Sequence, residues 1–397
     1  MRLAIVSSHP IQYYAPIFQV LARSGNLQLK VFYTWSQTAA AAVPDPGFGR
    51  LIQWDIPLLD GYESEFVPNL ARRPGTDHFF GLHNPDLNRT VERWRPEALL
   101  VFGWNSRSHL GALRYFKGRI PIFFRGDSTL LNRTSVLRTW ARSAYLRWVY
   151  SHIDVAIAVG SNNRDYYRWS GVPEGRIAFA PHAIDTTRFA DEQGLHEAKA
   201  LQWRRELGIA PSARVVLFAG KLISLKNPQL LLDAFVAGGS PAHLVFVGNG
   251  ALEEHLRRLA GGRADIHFLP FQNQLAMPAV YRLGDLFVLP SVSETWGLAL
   301  NEAMACGRVV AASDKVGGAR DLITQDVTGW VFESGSVSGL AQLLSKAATC
   351  DPSVLRVMGE AAMRASPQWS ISAAAAGIER AVLGFTPDRH ERNVSLA

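Results

Sequence analysis

The chain is poor in cysteine and in charged residues, and each scarcity limits what the protein can be. Cys306 and Cys350 are its two cysteines, too few for a disulfide framework and typical of a reducing compartment. No zinc-finger spacing, aromatic RNA-binding signature or long Lys/Arg run occurs, which ranks nucleic acid lowest among partners. No stretch approaches the roughly 20 apolar residues of a membrane span, and the first apolar run is too short for a signal peptide. We therefore expect a cytoplasmic protein that begins with a β-strand.

What is present is a large apolar fraction and an uneven distribution of charge. With 397 residues, 48% of them hydrophobic, the chain can form two or three domains of about 150 residues. Residues 1–190 hold 22 basic and 14 acidic side chains (+8), and residues 191–397 hold 19 and 20 (−1). A basic first half favours a phosphorylated substrate or an anionic lipid surface as partner, including peripheral contact with the inner face of a membrane.

Short apolar, β-rich runs alternate with helical patterns in both halves of the chain. This alternation is the signature of parallel sheets covered by helices, so we predict an α/β fold built twice. The predicted strands are residues 3–7, 27–33, 98–102, 120–124, 155–159, 177–180, 214–219, 243–247, 266–269, 286–289, 309–312 and 329–332.

A polar stretch at residues 185–211 separates the two sets of strands and predicts the domain boundary. We place an N-terminal domain at 1–190 and a C-terminal domain at 191–370. The remaining segment, 371–397, is predicted to form a helix over 371–383, which crosses back to the first domain, and a polar tail.

The most informative segment is LPSVSETWGLALNEAMACG at residues 289–307. A strand runs into a loop that carries Glu294, and a helix starts near Gly297 and ends at Gly307. Such a junction directs free backbone N–H groups and the positive end of the helix dipole above the sheet, which suits a phosphate. Glu294 and Glu302 can accept hydrogen bonds from sugar hydroxyls. Taken singly, each is more often a helix-cap or solvated carboxylate.

A second motif, FAGKLISLKNP at residues 218–228, follows another predicted strand. Its glycine, Gly220, opens a turn, and Lys221 and Lys226 can neutralise a diphosphate without a metal. Loop lysines are usually only solvated, and the Walker spacing of a P-loop is missing. Their pairing with the two glutamates is what favours a nucleotide-sugar site.

With these motifs the chain resembles glycosyltransferase family 4, whose members have the GT-B fold of two Rossmann-like domains facing a central cleft. The match rests on Glu294 and Glu302 at the family's Glu-x7-Glu spacing and on Gly220-Lys-Leu222 with Lys226. Further matching segments are residues 180–185, 188–189, 247–250, 281–291 and 368–369. They cover nearly all of the C-terminal half, and the first half mainly through strand order.

The resemblance implies transfer of a sugar from a nucleotide diphosphate donor, with retention at the anomeric carbon and with no metal or other cofactor. Lys221 and Lys226 would hold the diphosphate and stabilise its developing charge, and Glu294 would contact the donor sugar. Glu302 would bind the ribose. The other implied donor-binding residues are Gly220, Pro270 and Phe271, the last two beside the base, and the backbone N–H groups of Gly297, Leu298 and Ala299.

The first half departs from the family's pattern in two places. Where many relatives have a Gly-Gly loop, this chain has SSHPIQYYAP at 7–16, and His9 is a candidate for a phosphate or acceptor contact or, equally, a polar cap. Where relatives place a histidine near the reacting sugar, this chain has Asp127, a candidate catalytic residue whose alternative is a pair with Arg125. Candidates for the acceptor pocket, with packing as the alternative, are Trp104, Asn105, His109 and Arg125.

Residues 135–151 form a helical pattern with two interpretations. One stripe carries Leu137, Trp140, Ala141, Ala144 and Trp148, with Arg138 and Arg142 opposite. The pattern is compatible with a helix on a membrane surface, but a helix of this kind in an α/β domain more often covers its own sheet.

The sequence therefore predicts a hexosyltransferase-type glycosyltransferase that acts on a glycan, lipid-linked or small-molecule acceptor, as in polysaccharide biosynthesis. Two alternatives share the donor site: a nucleotide-sugar epimerase, which needs no acceptor, and a non-catalytic nucleotide-sugar-binding protein.

Overall fold

The computed structural model describes residues 1–36, 43–45, 47–131 and 136–386. The described strands are β1 (Arg2–Ser7), β2 (Gln28–Tyr33), β3 (Val43–Asp45), β4 (Arg50–Ile52), β5 (Glu63–Phe66), β6 (Ala98–Phe102), β7 (Ile122–Arg125), β8 (Val155–Ala158), β9 (Ile177–Phe179), β10 (Val215–Ala219), β11 (His243–Val247), β12 (Ile266–Leu269), β13 (Leu286–Leu289), β14 (Val309–Ser313) and β15 (Gly329–Phe332). Each strand predicted from an apolar run is present, with its ends shifted by two residues or fewer.

Helices connect these strands and cover the sheets. The described α-helices are α1 (Ala15–Arg23), α2 (Leu87–Arg93), α3 (Arg107–Phe116), α4 (Val136–Tyr150), α5 (Ser161–Trp169), α6 (Thr186–Phe189), α7 (Leu195–Glu206), α8 (Pro228–Gly238), α9 (Glu253–Ala260), α10 (Met277–Arg282), α11 (Leu298–Ala305), α12 (Ala319–Leu322), α13 (Val337–Thr349), α14 (Pro352–Ala365) and α15 (Ile371–Leu383). Short 3₁₀ helices lie at Phe79–Gly81, Glu174–Arg176 and Ser366–Trp369.

The strands form two parallel sheets whose order reverses once each. The first sheet has the order β5-β2-β1-β6-β7-β8-β9, and the second has the order β12-β11-β10-β13-β14-β15. The reversals lie between β1 and β6 and between β10 and β13. In open α/β sheets, ligands bind beyond the carboxyl ends of the strands at such a switch point. We therefore expect a ligand site at the loops after β1, β10 and β13.

The central strands of both sheets are apolar over nearly their whole length because they are buried on both faces. In β1, Leu3 and Ile5 belong to one core cluster, whereas Ala4 and Val6 belong to another, since successive side chains point to opposite faces. The second sheet likewise separates two clusters. Polar chemistry is therefore concentrated in the loops at the strand ends.

The last described helix, α15, belongs to the core of the first sheet although it follows the second. The Ser370 hydroxyl caps it by accepting the N–H of Ala373. Ile371 and Ile378 lie in the same core cluster as the residues of β1 and α1. The Ile371 N–H donates to the carbonyl of Ile184 at 3.1 Å, so the chain returns to the first half at that point.

A small antiparallel hairpin, β3–β4, and the edge strand β5 were absent from our predictions. Asp45 builds the hairpin turn: its Oδ1 accepts the N–H of Gly47 at 2.8 Å and of Phe48 at 3.2 Å, a common use of Asp in turns. These strands have three or four residues, too short and too polar to be found from apolar runs.

The structure corrects our interpretation of helix α4, which we expected to cover its sheet with the stripe that contains Trp140 and Trp148. The buried side chains are instead Leu146, Val149 and Tyr150. Trp140 is 75% exposed and Trp148 43%, and Ala141, Ala144 and Arg142 are not buried either. The side chains of Leu137 and Arg138 lie outside the described part of the chain.

Candidate active site

The loops after β10 and β11 pack backbone against backbone at the centre of the second sheet. The Leu222 N–H donates to the carbonyl of Asn249 at 2.9 Å. A Cβ on Gly248 would lie 2.0 Å from the carbonyl oxygen of Gly220, and one on Gly250 would lie 2.5 Å from that of Leu222. Close approach therefore requires glycine at both positions, and it fixes the turn that presents Lys221.

Lys226 and Glu294 form an ion pair across the switch point of the second sheet. Lys226 lies just before α8, and Glu294 lies in the loop after β13; the Val292 N–H joins the two loops by donating to Leu225 O at 3.0 Å. Glu294 is further held by its own N–H, which donates to Lys315 O at 3.1 Å. The two side chains are 23% and 19% exposed, so the pair faces the cleft from a fixed position.

Helix α11 begins a few residues beyond Glu294, and its N-terminus points into the cleft that the ion pair faces. Gly297 precedes it with φ of 99°, and a Cβ there would lie 2.7 Å from Val316 Cγ1. The first N–H groups of a helix have no partner within the helix and carry its positive end. Leu298 and Ala299 border the cavity described below, so this end of the helix is suited to an anion.

Glu302, one turn further along α11, is almost completely buried at 2% exposure. Tyr281 OH on α10 donates to its Oε2 at 2.5 Å, and Tyr13 OH from the first half donates to its Oε1 at 3.1 Å. Burial raises the pKa of this carboxyl, while the tyrosine hydrogen bonds and the charge of Arg188 act in the opposite direction. Glu302 is therefore a buried acceptor that both halves of the chain hold in place.

A cavity of about 430 Å³ lies between the two sheets and collects these groups. From the second half, the residues predicted from the sequence that line it are Gly220, Lys221, Lys226, Phe271, Glu294, Gly297, Leu298, Ala299 and Glu302. Pro270 is exposed and is not among the lining residues. The volume falls within the range of small-ligand sites, about 300–1,000 Å³.

Asp127 faces the cavity from the first half. Thr295 Oγ1, next to Glu294, donates to Asp127 Oδ2 at 2.9 Å. Its neighbour on the same side is His182, whose ring lies 6.2 Å from that of Tyr14 and 5.8 Å from that of Trp296. Burial lowers the pKa of His182 to about 4, with Asp127 raising it and Arg125 lowering it further. Asp127 is thus brought to the cleft beside a neutral imidazole.

His9 lies at the end of β1 but is not among the residues that line the cavity. Its Nδ1 is 3.0 Å from Ser8 Oγ, and its ring meets Trp35 edge-on at 5.5 Å. Burial lowers its pKa to about 4. The cleft residues supplied by this loop are instead Ile11, Gln12, Tyr13 and Tyr14.

Two of the predicted acceptor residues are buried inside the first half, which corrects the expectation that they face a substrate. Arg125 is 2% exposed and donates to the carbonyls of Ala180 and Pro181, each at 2.7 Å; it does not pair with Asp127 through these nitrogens. His109 is 3% exposed, and its Nδ1 is bonded to Gly103 O at 2.9 Å. These hydrogen bonds explain how the two polar side chains tolerate burial.

The other two acceptor candidates also lie away from the cavity lining. Trp104 packs edge-on against Tyr145 of α4 at 5.6 Å. Asn105 is exposed. The first half reaches the cavity through other residues, for which two local signals existed: the Tyr13-Tyr14 pair after the first strand, and His182 within the matching segment 180–185.

A segment after β3 crosses from the first half to the second, and we call Asp45 and residues 47–55 the strap. Asp45 Oδ1 lies 2.9 Å from Lys221 Nζ. Asn273 Nδ2 donates to Gln53 O at 2.6 Å, and Asp55 accepts the N–H of Leu275 at 3.2 Å. The strap therefore covers one end of the cavity, an arrangement that none of our sequence patterns predicted.

Two properties of the described residues bear on membranes and metals. None of the described helices combines the length and apolar character needed to cross a bilayer. Within the same residues, no group of three or more His, Cys, Asp and Glu side chains is arranged to hold a metal ion.

Comparison with known proteins gives a family match for the second half of the chain. The family described as glycosyl transferases group 1 matches residues 200–364. The chain is 34% identical to the D-inositol 3-phosphate glycosyltransferase of Segniliparus rotundus over 189 residues, 44% of this chain and 41% of that protein. It is 26% identical to the protein of the same name from Nocardia farcinica over 413 residues, 95% of this chain and 88% of that one. The chain spans about two fifths of the length of the first curated relatives it matches.

Solved structures extend the likeness to the whole chain. The crystal structure of Anabaena HepE in complex with UDP and glucose superposes with a TM-score of 0.71 at 17% identity, covering 97% of this chain and 100% of that one. At this identity the likeness shows the fold. The resemblance predicted from the motifs is thereby confirmed as a match of residues 200–364 to the glycosyl transferases group 1, and the chain as a whole has the GT-B fold.

Proposed function

We propose that this protein transfers a sugar from a nucleotide diphosphate sugar to an acceptor hydroxyl. The observation that carries the proposal is the convergence of Lys221, Lys226, Glu294 and Glu302, from separate loops and a helix, on one cavity at the switch point of the second sheet. Residues of the first half face them across this cavity. A donor site opposed by a second surface is what a transferase needs and a simple binding protein does not.

The donor is proposed to lie along the second sheet. Lys221, Lys226 and the N-terminus of α11 would bind the diphosphate, because charged donors and free backbone N–H groups are suited to phosphate oxygens. Glu302 would accept hydrogen bonds from the ribose hydroxyls, and Phe271 would border the base. Glu294 would hold a hydroxyl of the sugar. The UDP in the HepE complex supports a uridine nucleotide as the first donor to test.

In the proposed reaction the bond between the anomeric carbon and the β-phosphate oxygen breaks while a bond to the acceptor oxygen forms. Negative charge develops on the departing diphosphate, and two lysines and a helix N-terminus already oriented toward it stabilise that charge. The acceptor proton passes to a phosphate oxygen of the leaving nucleotide. We propose retention of anomeric configuration and independence from metals, in line with the family resemblance.

Sugar transfer is tested by incubating the full chain with UDP-, GDP- and ADP-sugars and an acceptor panel that includes inositol phosphate, glycans and lipid-linked sugars. Nucleotide release that requires an acceptor, and continues in excess EDTA, is the expected result. Glu294→Gln should lower this rate about 100-fold, because it removes a charged hydrogen-bond acceptor from the reacting sugar. Glu333→Gln, outside the cavity lining, is the matched control. Conversion of the donor alone into an isomeric nucleotide sugar would instead identify an epimerase.

The acceptor is proposed to be presented at an anionic lipid surface, and the exposed face of α4 supports this. Trp140, Tyr145 and Trp148 are 75%, 43% and 43% exposed, and Arg142 and Arg147 are exposed on the same helix. Aromatic rings together with arginines are suited to the interface of a bilayer, and the basic balance of residues 1–190 adds electrostatic attraction.

Vesicle sedimentation tests this surface. The chain should bind vesicles that contain phosphatidylglycerol and not those of phosphatidylcholine alone, and Trp140→Ser with Trp148→Ser should weaken binding at least tenfold. Phe80→Ser removes an equally exposed aromatic ring, 66% exposed, from another part of the first half and should leave binding unchanged. Equal losses in the two variants would exclude α4 as the contact.

A further inference from the structure

Lys221 has a carboxylate partner from the opposite half of the chain. Asp45 Oδ1 lies 2.9 Å from Lys221 Nζ, with 26% of the Asp45 side chain and 33% of the Lys221 side chain exposed. The same oxygen accepts the N–H groups of Gly47 and Phe48. The turn of the strap therefore holds the carboxylate in front of the ammonium group.

The strap encloses Lys221 on further sides. A Cβ on Gly47 would lie 2.5 Å from Lys221 Cδ, so the backbone of the strap touches the lysine stem. The Lys221 ammonium also lies 5.1 Å from the centre of the Phe48 ring. A phosphate that binds this ammonium competes with the Asp45 carboxylate, because both anions are attracted to the same positive charge and repel each other beside it.

Other contacts of the strap are independent of Lys221. The Phe48 ring meets Phe271 edge-on at 4.8 Å, and the Arg50 guanidinium lies 5.2 Å from the centre of the Phe271 ring. The Gln53 carbonyl and the Asp55 carboxylate bind the loop after β12. Loss of the Asp45–Lys221 pair alone therefore leaves the strap attached to the second half.

We propose that Asp45 competes with the donor diphosphate for Lys221, and that this competition determines which anions can bind to Lys221. The inference rests on the proposed function, since it takes Lys221 as a diphosphate ligand. Without donor, the carboxylate neutralises Lys221. A nucleotide diphosphate displaces it with the help of contacts at Phe271 and Glu302, which inorganic phosphate cannot make. The competition lowers the affinity of every anion and leaves only nucleotide-bearing anions tightly bound.

The test is the dissociation constant of UDP, with GDP and ADP in parallel, measured by calorimetry on the full chain. Asp45→Asn should bind the nucleotide about 3- to 10-fold more tightly, because removing a competing state raises the fraction of binding-competent protein. Asparagine keeps an oxygen that can accept the N–H groups of Gly47 and Phe48, so the turn is preserved. Uridine, which has no phosphate, should bind both forms equally.

Two further variants separate competition at Lys221 from general effects. Asp60→Asn removes the same charge from an exposed position and should not change UDP affinity. In a Lys221→Ala background, Asp45→Asn should give no gain, because the two residues would then be uncoupled. Unchanged or weaker UDP binding by Asp45→Asn, an equal gain in Asp60→Asn, or a gain that persists without Lys221 overturns the inference. If the wild-type chain binds no nucleoside diphosphate, the proposed function fails as well.

Discussion

The two sides of the cavity are built differently. On the second half, a backbone hydrogen bond ties the loop that carries Lys226 to the loop that carries Glu294, and glycines in close contact tie the loop after β10 to the loop after β11. On the first half, Tyr13, Asp45 and Asp127 each reach the opposite side through one side-chain interaction. A surface built from backbone is preorganised, whereas single side-chain hydrogen bonds contribute only about 0.5–3 kcal/mol each. The difference indicates that the cavity residues of the second half are held in fixed positions, whereas these three residues of the first half reach them through exchangeable contacts.

The largest difference between the two sides of the cavity is expected when the kinetics and nucleotide affinity of Lys226→Ala are compared with those of Asp127→Asn. Lys226→Ala should lower kcat/KM about 100- to 1,000-fold and weaken nucleotide binding. The substitution removes a positive charge that would stabilise the negative charge of the departing diphosphate. Asp127→Asn should slow transfer about tenfold and leave nucleotide affinity within about twofold of wild type. Steady-state kinetics and calorimetry of UDP binding measure both. Equal losses of nucleotide affinity would contradict the division into a donor side and an acceptor side.

Acidification is expected to weaken the first half through His182. Its pKa of about 4 lies below the 6.5 of a free imidazole, so the unfolded chain takes up the proton first as pH falls. The free energy of unfolding should therefore decrease between pH 6.5 and about 4, by up to about 3 kcal/mol from this residue. Urea unfolding at pH 7.5 and 5 should show a smaller decrease in His182→Gln. His255→Gln, on α9, is the control and should retain the wild-type decrease.

The packing between the halves can be disturbed by one added methyl group, which at Gly160 would also lie 2.8 Å from Asp321 Oδ2. A Cβ at Gly160 would lie 2.2 Å from Cζ3 of Trp296, and Trp296 is 3% exposed and packs against Trp369. Gly160→Ala should therefore lower the free energy of unfolding by about 1–3 kcal/mol. Gly111→Ala, on α3 with no atom within 4 Å of its added Cβ, should be neutral or stabilising. Equal melting temperatures for the two variants would show that the Trp296 contact is easily displaced.

The smallest expected effect comes from Tyr13→Phe, which removes one hydrogen bond to Glu302. The bond from Tyr13 favours the ionised carboxylate, so its loss should raise the pKa of Glu302 further. The acid limb of the plot of kcat/KM against pH should move to higher pH, and kcat/KM at neutral pH should fall about tenfold. Because the hydroxyl alone is removed, packing should be retained. An unshifted acid limb would indicate that Glu302 does not control donor binding.

Much of the fold, and the second half's share of the cavity lining, could be predicted because both leave local signals in the chain. Strands buried on two faces are continuous apolar runs, and a strand followed by a glycine turn or a capped helix has few interpretations. Lys221, Lys226, Glu294 and Glu302 lie close to such strand ends, where topology alone brings them together. The spacing of the glutamates reflects their place before and within one helix.

The first side could not be predicted in the same way because its residues depend on packing. Arg125 is a charged residue that composition would place at the surface, yet two carbonyl groups allow it to be buried. The strap starts at the last residue of β3, contains the three-residue strand β4 and has no apolar run. In α4, periodicity identified a stripe with two tryptophans, but Leu146 and Val149 on another face are the residues that pack. Hydrophobic character alone does not say which face of such a helix meets the sheet.

Helix α15 has a consequence for how the chain folds during synthesis. Its residues complete the core beneath β1 and α1, although they leave the ribosome roughly two hundred residues after the first sheet is finished. At about 5–20 residues per second, that interval is roughly 10–40 s. Throughout it, the part of the apolar face that α15 later covers is exposed in the nascent first half, so chaperones have to protect it from aggregation.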